Sequence, residues 1–228
     1  FISMAACTMG IGRPEYWDAI VNKTAVDEVR AFMDGKPCKL IGMDEPDALL
    51  WFVKAIQDYA SYTSTEEAAQ LYGTLVVDIV NYIRKQQHPR LFLHSNGLLW
   101  VDGTERPATW MNAVEDGRPI TPRTGYVVEH NALWYNALHF AADMLRLTNH
   151  EQMADLMDYQ AEITKEAFVS TFWNGFYLDD YVTAEEHNKE VRPNQIIAAS
   201  LPYSPLDKHQ QKAVVDICTK ELYTPKGL

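Results

Sequence analysis

The densest concentration of chemically able side chains lies in RPATWMNAVEDGRPITPRTGYVVEHNALWYNAL, residues 106–138. Within it Trp110, Tyr126, Trp134 and Tyr135 mix with Asn112, Arg118, Arg123, Glu129, Asn131 and Asn136. This composition is too polar for plain core and too aromatic for plain surface. It suits a sugar, because a pyranose ring offers C–H patches that stack on aromatic faces and hydroxyls that pair with amides and carboxylates. Other common chemistries find no foothold. The chain contains no GxSxG, HExxH, GxxxxGK[ST] or GxGxxG, since Gly10-Ile11-Gly12 stops after two glycines, and its seven histidines are scattered.

Each of these residues also has a plainer reading. A carboxylate at a helix start, such as Glu129, is a favourable partner for the helix dipole. Asn131 and Asn136 can satisfy buried backbone, and Asp47 sits where a helix cap is expected. Arg123 and Arg192 suit loop-holding pairs with carboxylates. The run from Asp179-Asp180 to Glu185-Glu186 has the oxygen ligands for a cation, but reads first as a solvated charge run.

The elements that must position these groups are helices. Apolar residues recur with a period near 3.6, predicting helices at about 14–34, 46–61, 64–86, 128–147, 150–171, 192–201 and 205–222, with a partial helix at 1–9. Ser64-Thr65-Glu66-Glu67 reads as a capping box, Asn149 with Gln152 as a helix start, and Ser204-Pro205 as a start with proline at the first helical position. Segments 46–61, 128–147 and 192–201 carry aromatics and amides inside their apolar faces, as helices covered on two sides do. Those at 64–86, 150–171 and 205–222 are one-sided and read as an outer set. Short connections alternate with long ones at 87–127 and 172–191, which predicts stacked helical hairpins whose long, functional loops share one face.

Composition narrows the partners. The chain's 20 Lys and Arg against 31 Asp and Glu leave a net charge of −11 without a basic run, which excludes a phosphate backbone as partner. No apolar stretch is long enough to span a bilayer. Three widely spaced cysteines, Cys7, Cys38 and Cys218, suit free thiols in a reducing compartment, so a cytoplasmic location is expected.

Taken in order, DEPDALLWF, NGLLW, ATWMNA, TPRTGYVVEHNALWYNAL and RPNQIIAASLP resemble the C-terminal amylo-α-1,6-glucosidase domain of bacterial glycogen debranching enzymes across essentially residues 1–228. The resemblance implies an all-α fold, an (α/α)6 toroid present here as one fragmentary domain with about four of six hairpins. It implies hydrolysis of α-1,6 branch points in glycogen-like glucans with inversion, by one carboxylic acid and one carboxylate, and no cofactor or metal. The acid position is held by Asn112 where the family has Asp, and the second carboxylate is expected beyond Leu228. Glu129 is then the nearest carboxyl, to bind sugar hydroxyls or substitute as acid. Asp47, Trp51, Trp110, Asn131, Trp134 and Asn194 fall to the glucose subsite. An open toroid is further expected to self-associate, and the isolated piece to be inactive. The alternative is a non-catalytic carbohydrate-binding or scaffold domain that kept the pocket and lost the chemistry. A third reading is another toroid enzyme, such as a sugar epimerase.

Overall fold

The computed structural model describes residues 1–227. The chain is about 54% helical, in the order α1 (Pro14–Trp17), a π-helical turn (Asp18–Ala25), α2 (Val26–Met33), α3 (Ala48–Tyr62), α4 (Thr65–Arg84), α5 (Val128–Leu147), α6 (Glu151–Phe172), α7 (Asn194–Ser200) and α8 (Lys208–Glu221). The period-3.6 reading therefore locates the helices to within a few residues. Residues 2–12 form successive turns instead of the expected partial helix. Among the described residues no helix is long and apolar enough to cross a membrane.

The expectation of an all-α chain needs correction. The two long connections are not plain loops: they supply short strands β1 (Phe92–Leu93), β2 (Leu99–Val101), β5 (Gly125–Val127), β6 (Tyr181–Val182) and β7 (His187–Asn188) to one antiparallel sheet in that spatial order. A separate hairpin pairs β3 (Val114–Glu115) with β4 (Arg118–Pro119). Strands of two or three residues are too short to print an alternating pattern that could compete with the helical period.

Two compact units divide the chain: Phe1–Leu91 with Phe140–Met157, and Phe92–His139 with Asp158–Leu228. In the first, α3 is buried on nearly every side, while α4 buries one face through Leu75, Val76, Ile79, Val80 and Ile83. Trp17 stacks on Tyr59 at 4.8 Å and donates its indole N–H to the Tyr72 hydroxyl at 2.8 Å, so the aromatic group is both packed and satisfied. Ser64 caps α4 by accepting from the Glu67 N–H at 3.0 Å. The Glu67 carboxylate, rather than closing the box, accepts from the Tyr59 hydroxyl at 2.5 Å. Asn149 takes φ +60° and ends α5, with the His150 N–H reaching the Leu145 carbonyl at 2.9 Å, so it closes the preceding helix instead of starting the next.

In the second unit, the α5 residues Val128–Leu138 are buried on all sides, whereas α8 buries only Gln210, Val214 and Cys218. The cap of α8 is Asp207, which forms a reciprocal box with Gln210, so the helix opens three residues after Ser204. Leu99, Val101 and Val127 turn one face of the sheet inward. Gly125 is required where β5 meets β6: its φ is +110°, and a Cβ there would fall 2.4 Å from the Val182 carbonyl oxygen.

Candidate functional site

The second unit gathers its chemically distinctive residues around Arg123. Its guanidinium is buried and grips Glu129 with both terminal nitrogens, Nη2 lying 2.8 Å from Oε2 and Nη1 against Oε1. The same group donates through Nη2 to Asp180, 2.8 Å from Oδ1 and 3.0 Å from the main-chain oxygen, and its Nε lies at ion-pair distance, 2.8 Å, from Oδ2. Glu129 comes from the first turn of α5, Asp180 from the residue before β6, and Arg123 from the segment entering β5. Backbone hydrogen bonds hold these pieces in register: the Val128 N–H donates to the Asp180 carbonyl at 3.1 Å, and the Asp180 N–H donates to the Asn188 carbonyl at 2.8 Å. Gly103 permits the approach on the far side of Arg123, since a Cβ there would lie 2.4 Å from the Arg123 carbonyl oxygen.

The network leads outward to one exposed ring. Asn194, fully buried at the start of α7, donates to Asp180 Oδ1 at 2.8 Å and accepts the indole N–H of Trp110 at 2.9 Å. Trp110 is itself 41% exposed. A large aromatic face is thus presented to solvent while its polar edge is pinned to a buried ionic centre. Arg192 adds a weaker contact to Asp180 Oδ2 at 3.4 Å and pairs with Glu190.

Electrostatics follow from burial. Removal from water pulls the Arg123 guanidinium down, but Glu129 and Asp180 outweigh this and hold it above its ordinary range. Burial pushes the Asp180 carboxyl up, against the pull of Arg123 and with the push of the Glu129 charge. His130, fully buried beside this group, is driven down to about 3 by desolvation and by the Arg123 charge, and both its ring nitrogens lack a hydrogen-bond partner. It is a neutral imidazole at any ordinary pH.

The residues singled out in the sequence divide into distinct environments. Trp110 and Asn194 are joined directly. Asn112 lies two residues beyond Trp110 on the exposed connection. Glu129 has no exposed surface and gives both oxygens to Arg123, a geometry that suits fixing an arginine and not meeting a sugar. Asn131 is wholly occupied with backbone: its oxygen accepts from the Leu99 N–H at 2.7 Å and its amide donates to Leu99 and Val127 carbonyls at 3.0 and 2.9 Å. Asn136 likewise accepts from the Tyr203 N–H at 3.1 Å. Trp134 is completely buried in α5. In the first unit Asp47 holds the cap position of α3 without a capping bond, and accepts the Trp51 indole N–H at 3.2 Å.

Asp180 is the member that sequence reasoning missed. The run 179–186 is not a solvated charge run at its start: Asp179 and Asp180 are each 2% exposed. Asp179 accepts from the Asn174 amide at 2.8 Å and lies 2.9 Å from His187 Nδ1. The available signal was the apolar setting, Leu178 before the pair and Tyr181-Val182 after it. Arg123 and Arg192 do hold connections by pairing with carboxylates, as their type suggested.

A family model described as amylo-alpha-1,6-glucosidase matches residues 41–228. Among solved structures, a GH78 family rhamnosidase of Bacillus sp. GL1 is similar at TM-score 0.54 and 17% identity, over 79% of this chain. The chain spans 18% of that protein's length, and at this identity the likeness concerns the fold alone. No curated protein sequence matches the chain significantly.

Proposed function

We infer the function from one premise, that the chain belongs to the amylo-alpha-1,6-glucosidase family, a family of glycoside hydrolases. On that basis the chain is read as part of a domain that hydrolyses α-1,6 branch points of glycogen-like glucans, its hairpins belonging to an (α/α)6 toroid. The match over residues 41–228 carries this reading. The anchored, exposed Trp110 supports it, since a ring fixed at its polar edge keeps its face available for stacking on a sugar at little entropic cost.

Inverting hydrolysis needs an acid to protonate the leaving oxygen and a base to activate water, about 6.5–9.5 Å apart. In this reading Trp110 binds glucose, Asn112 stands beside the departing oxygen, and Glu129 is a positioning residue that acts through Arg123 on Asp180 and Asn194. Asn131 and Trp134 shape the floor, Asn131 by tying β2 to α5. Asp47 and Trp51, buried and hydrogen-bonded to each other, are in this reading supporting residues at the start of α3. Asn112 is an amide and donates no carboxyl proton, so the chain as it stands releases glucose slowly or not at all.

The same observation favours a second reading, a carbohydrate-binding domain that kept the recognition surface without the proton donor. Glucose release from an α-1,6-glucosylated maltooligosaccharide separates the two. Under the first reading Asn112→Asp raises the rate by about 10²–10⁴, the usual contribution of a general acid. Unchanged binding without turnover in both proteins supports the second. If Trp110→Ala binds the oligosaccharide as tightly as the parent chain, the site is misplaced under either reading.

A further inference from the structure

The register of the five-stranded sheet sets Phe92, Trp100, Tyr126, Val182 and His187 in one row, each directly opposite the next. Cross-strand partners project from the same face, and their sequence neighbours from the other. The neighbours Leu99, Val101 and Val127 are fully buried, so the opposite face is the one that Phe92, 40% exposed, and the half-buried Trp100 and Tyr126 share; Val182, next in the row, is buried and ends the open aromatic stretch at Tyr126.

Polar groups rim this aromatic row. His94, exposed, lies nearly parallel to Trp100, with 10° between planes and 6.2 Å between centroids. Its Nδ1 is 2.8 Å from the Tyr126 hydroxyl, which the Asn96 amide also approaches at 3.4 Å. At the far edge His187 is oriented by buried Asp179 through Nδ1, which leaves Nε2 for an outside partner. None of the row's residues belongs to the Trp110 network.

We propose that this face of the sheet is a glucan-binding platform, taking a short neutral oligosaccharide laid across the strands. The inference deepens the glucosidase reading and rests on it for the identity of the sugar. Aromatic faces with an imidazole, an amide and a phenol at their edges provide stacking surface and hydroxyl partners together. The row carries no Lys, Arg, Asp or Glu, on a chain of net charge −11, which disfavours an anionic ligand and leaves a neutral polyol unopposed. Two interstrand steps separate Phe92 from Tyr126, a span of about 10 Å, enough for about two sugar units.

The test is calorimetric titration of maltoheptaose into the chain and into Phe92→Ala, Trp100→Ala and Trp110→Ala, with hydroxyl-radical footprinting of the parent chain. Phe92 is an exposed edge residue whose truncation spares the core, and the footprint needs no variant. We expect Phe92→Ala and Trp100→Ala each to weaken binding at least tenfold, and bound maltoheptaose to protect Phe92, Trp100 and Tyr126. Unaltered binding by Phe92→Ala together with an unprotected row overturns the platform. If Trp110→Ala then abolishes binding, the glucosidase reading stands without it. No binding of maltoheptaose at all also overturns the platform, while the glucosidase reading is judged separately by glucose release from the branched substrate.

Discussion

Replacing Arg123 with Met should be among the most damaging single changes in the second unit. The substitution keeps much of the side-chain length but leaves Glu129 and Asp180, 0% and 2% exposed, as two buried carboxylates without their cation. Breaking a buried pair from one side costs about 3–5 kcal/mol, because the stranded charge has lost both water and partner. Here Glu129 is stranded outright while Asp180 keeps Arg192 at 3.4 Å and the Asn194 amide at 2.8 Å, so the loss should fall within that range. Glu129→Gln alone leaves Arg123 with Asp180 and should cost only about 1–3 kcal/mol. The double variant Arg123→Met with Glu129→Gln removes one stranded charge, so it should be more stable than Arg123→Met alone. The coupling should exceed the 0.3–0.5 kcal/mol found for independent sites. Urea unfolding at pH 7, read as a change in midpoint at constant slope, measures all three. A second readout follows from sign. Without Arg123 the Asp180 carboxyl titrates higher still, and a raised carboxyl contributes stability at low pH that is lost as pH rises through its folded value. The Arg123→Met deficit should therefore shrink as the pH is lowered toward 4. A cost under about 1 kcal/mol, or singles that simply add, would refute the view that this cluster is one electrostatic unit.

Three further outcomes follow. His130 is held neutral, its value driven from 6.5 to about 3, so it contributes stability above pH 6.5 that is lost as pH falls; at 1.36 kcal/mol per pH unit the full loss is about 5 kcal/mol. His130→Leu should flatten the pH 6.5–3 limb of an acid-unfolding curve, and an unchanged limb would show that another group governs it. Asn194→Ala should free the Trp110 indole and weaken glucan binding about tenfold, with a red shift in tryptophan emission; an unshifted spectrum would mean the hydrogen bond does not hold the ring in solution. Gly125→Ala should cost about 1–3 kcal/mol from its positive φ alone, and more from displacing the Val182 carbonyl; a thermal midpoint equal to the parent's would contradict the β5–β6 register.

What the sequence made legible divides along the length scale of the interactions. Helices such as α4 and α5 repeat their signal over five or more turns, so periodicity located them to within a few residues. The sheet was illegible because β2 and β5 each contribute three residues, and their partnership is set by contacts such as Trp100 with Tyr126, far apart in the chain. Asp180 was misread for the same reason: with Asp179 beside it and Glu185-Glu186 further on it reads as part of a charge run, while the arginine that neutralises it lies 57 positions earlier.

The composition of residues 106–138 pointed to sugar chemistry, but could not sort its aromatics by exposure. That sorting follows from the elements. Trp134 sits in a stretch of α5 buried on all sides, where a side chain can serve packing but cannot meet a ligand. Asn131, one turn before it, spends its whole amide on strand backbone. A helix enclosed in this way can act on substrate only through what its end supports. Its first turn holds Glu129, which fixes Arg123, which fixes Asp180 and through it Asn194. The ring that reaches solvent, Trp110, belongs to an irregular connection, and its orientation depends on the end of that chain of contacts. Buried ionic groups here do for a loop what packing does for a helix: they leave one low-energy arrangement, because any other strands a charge away from water.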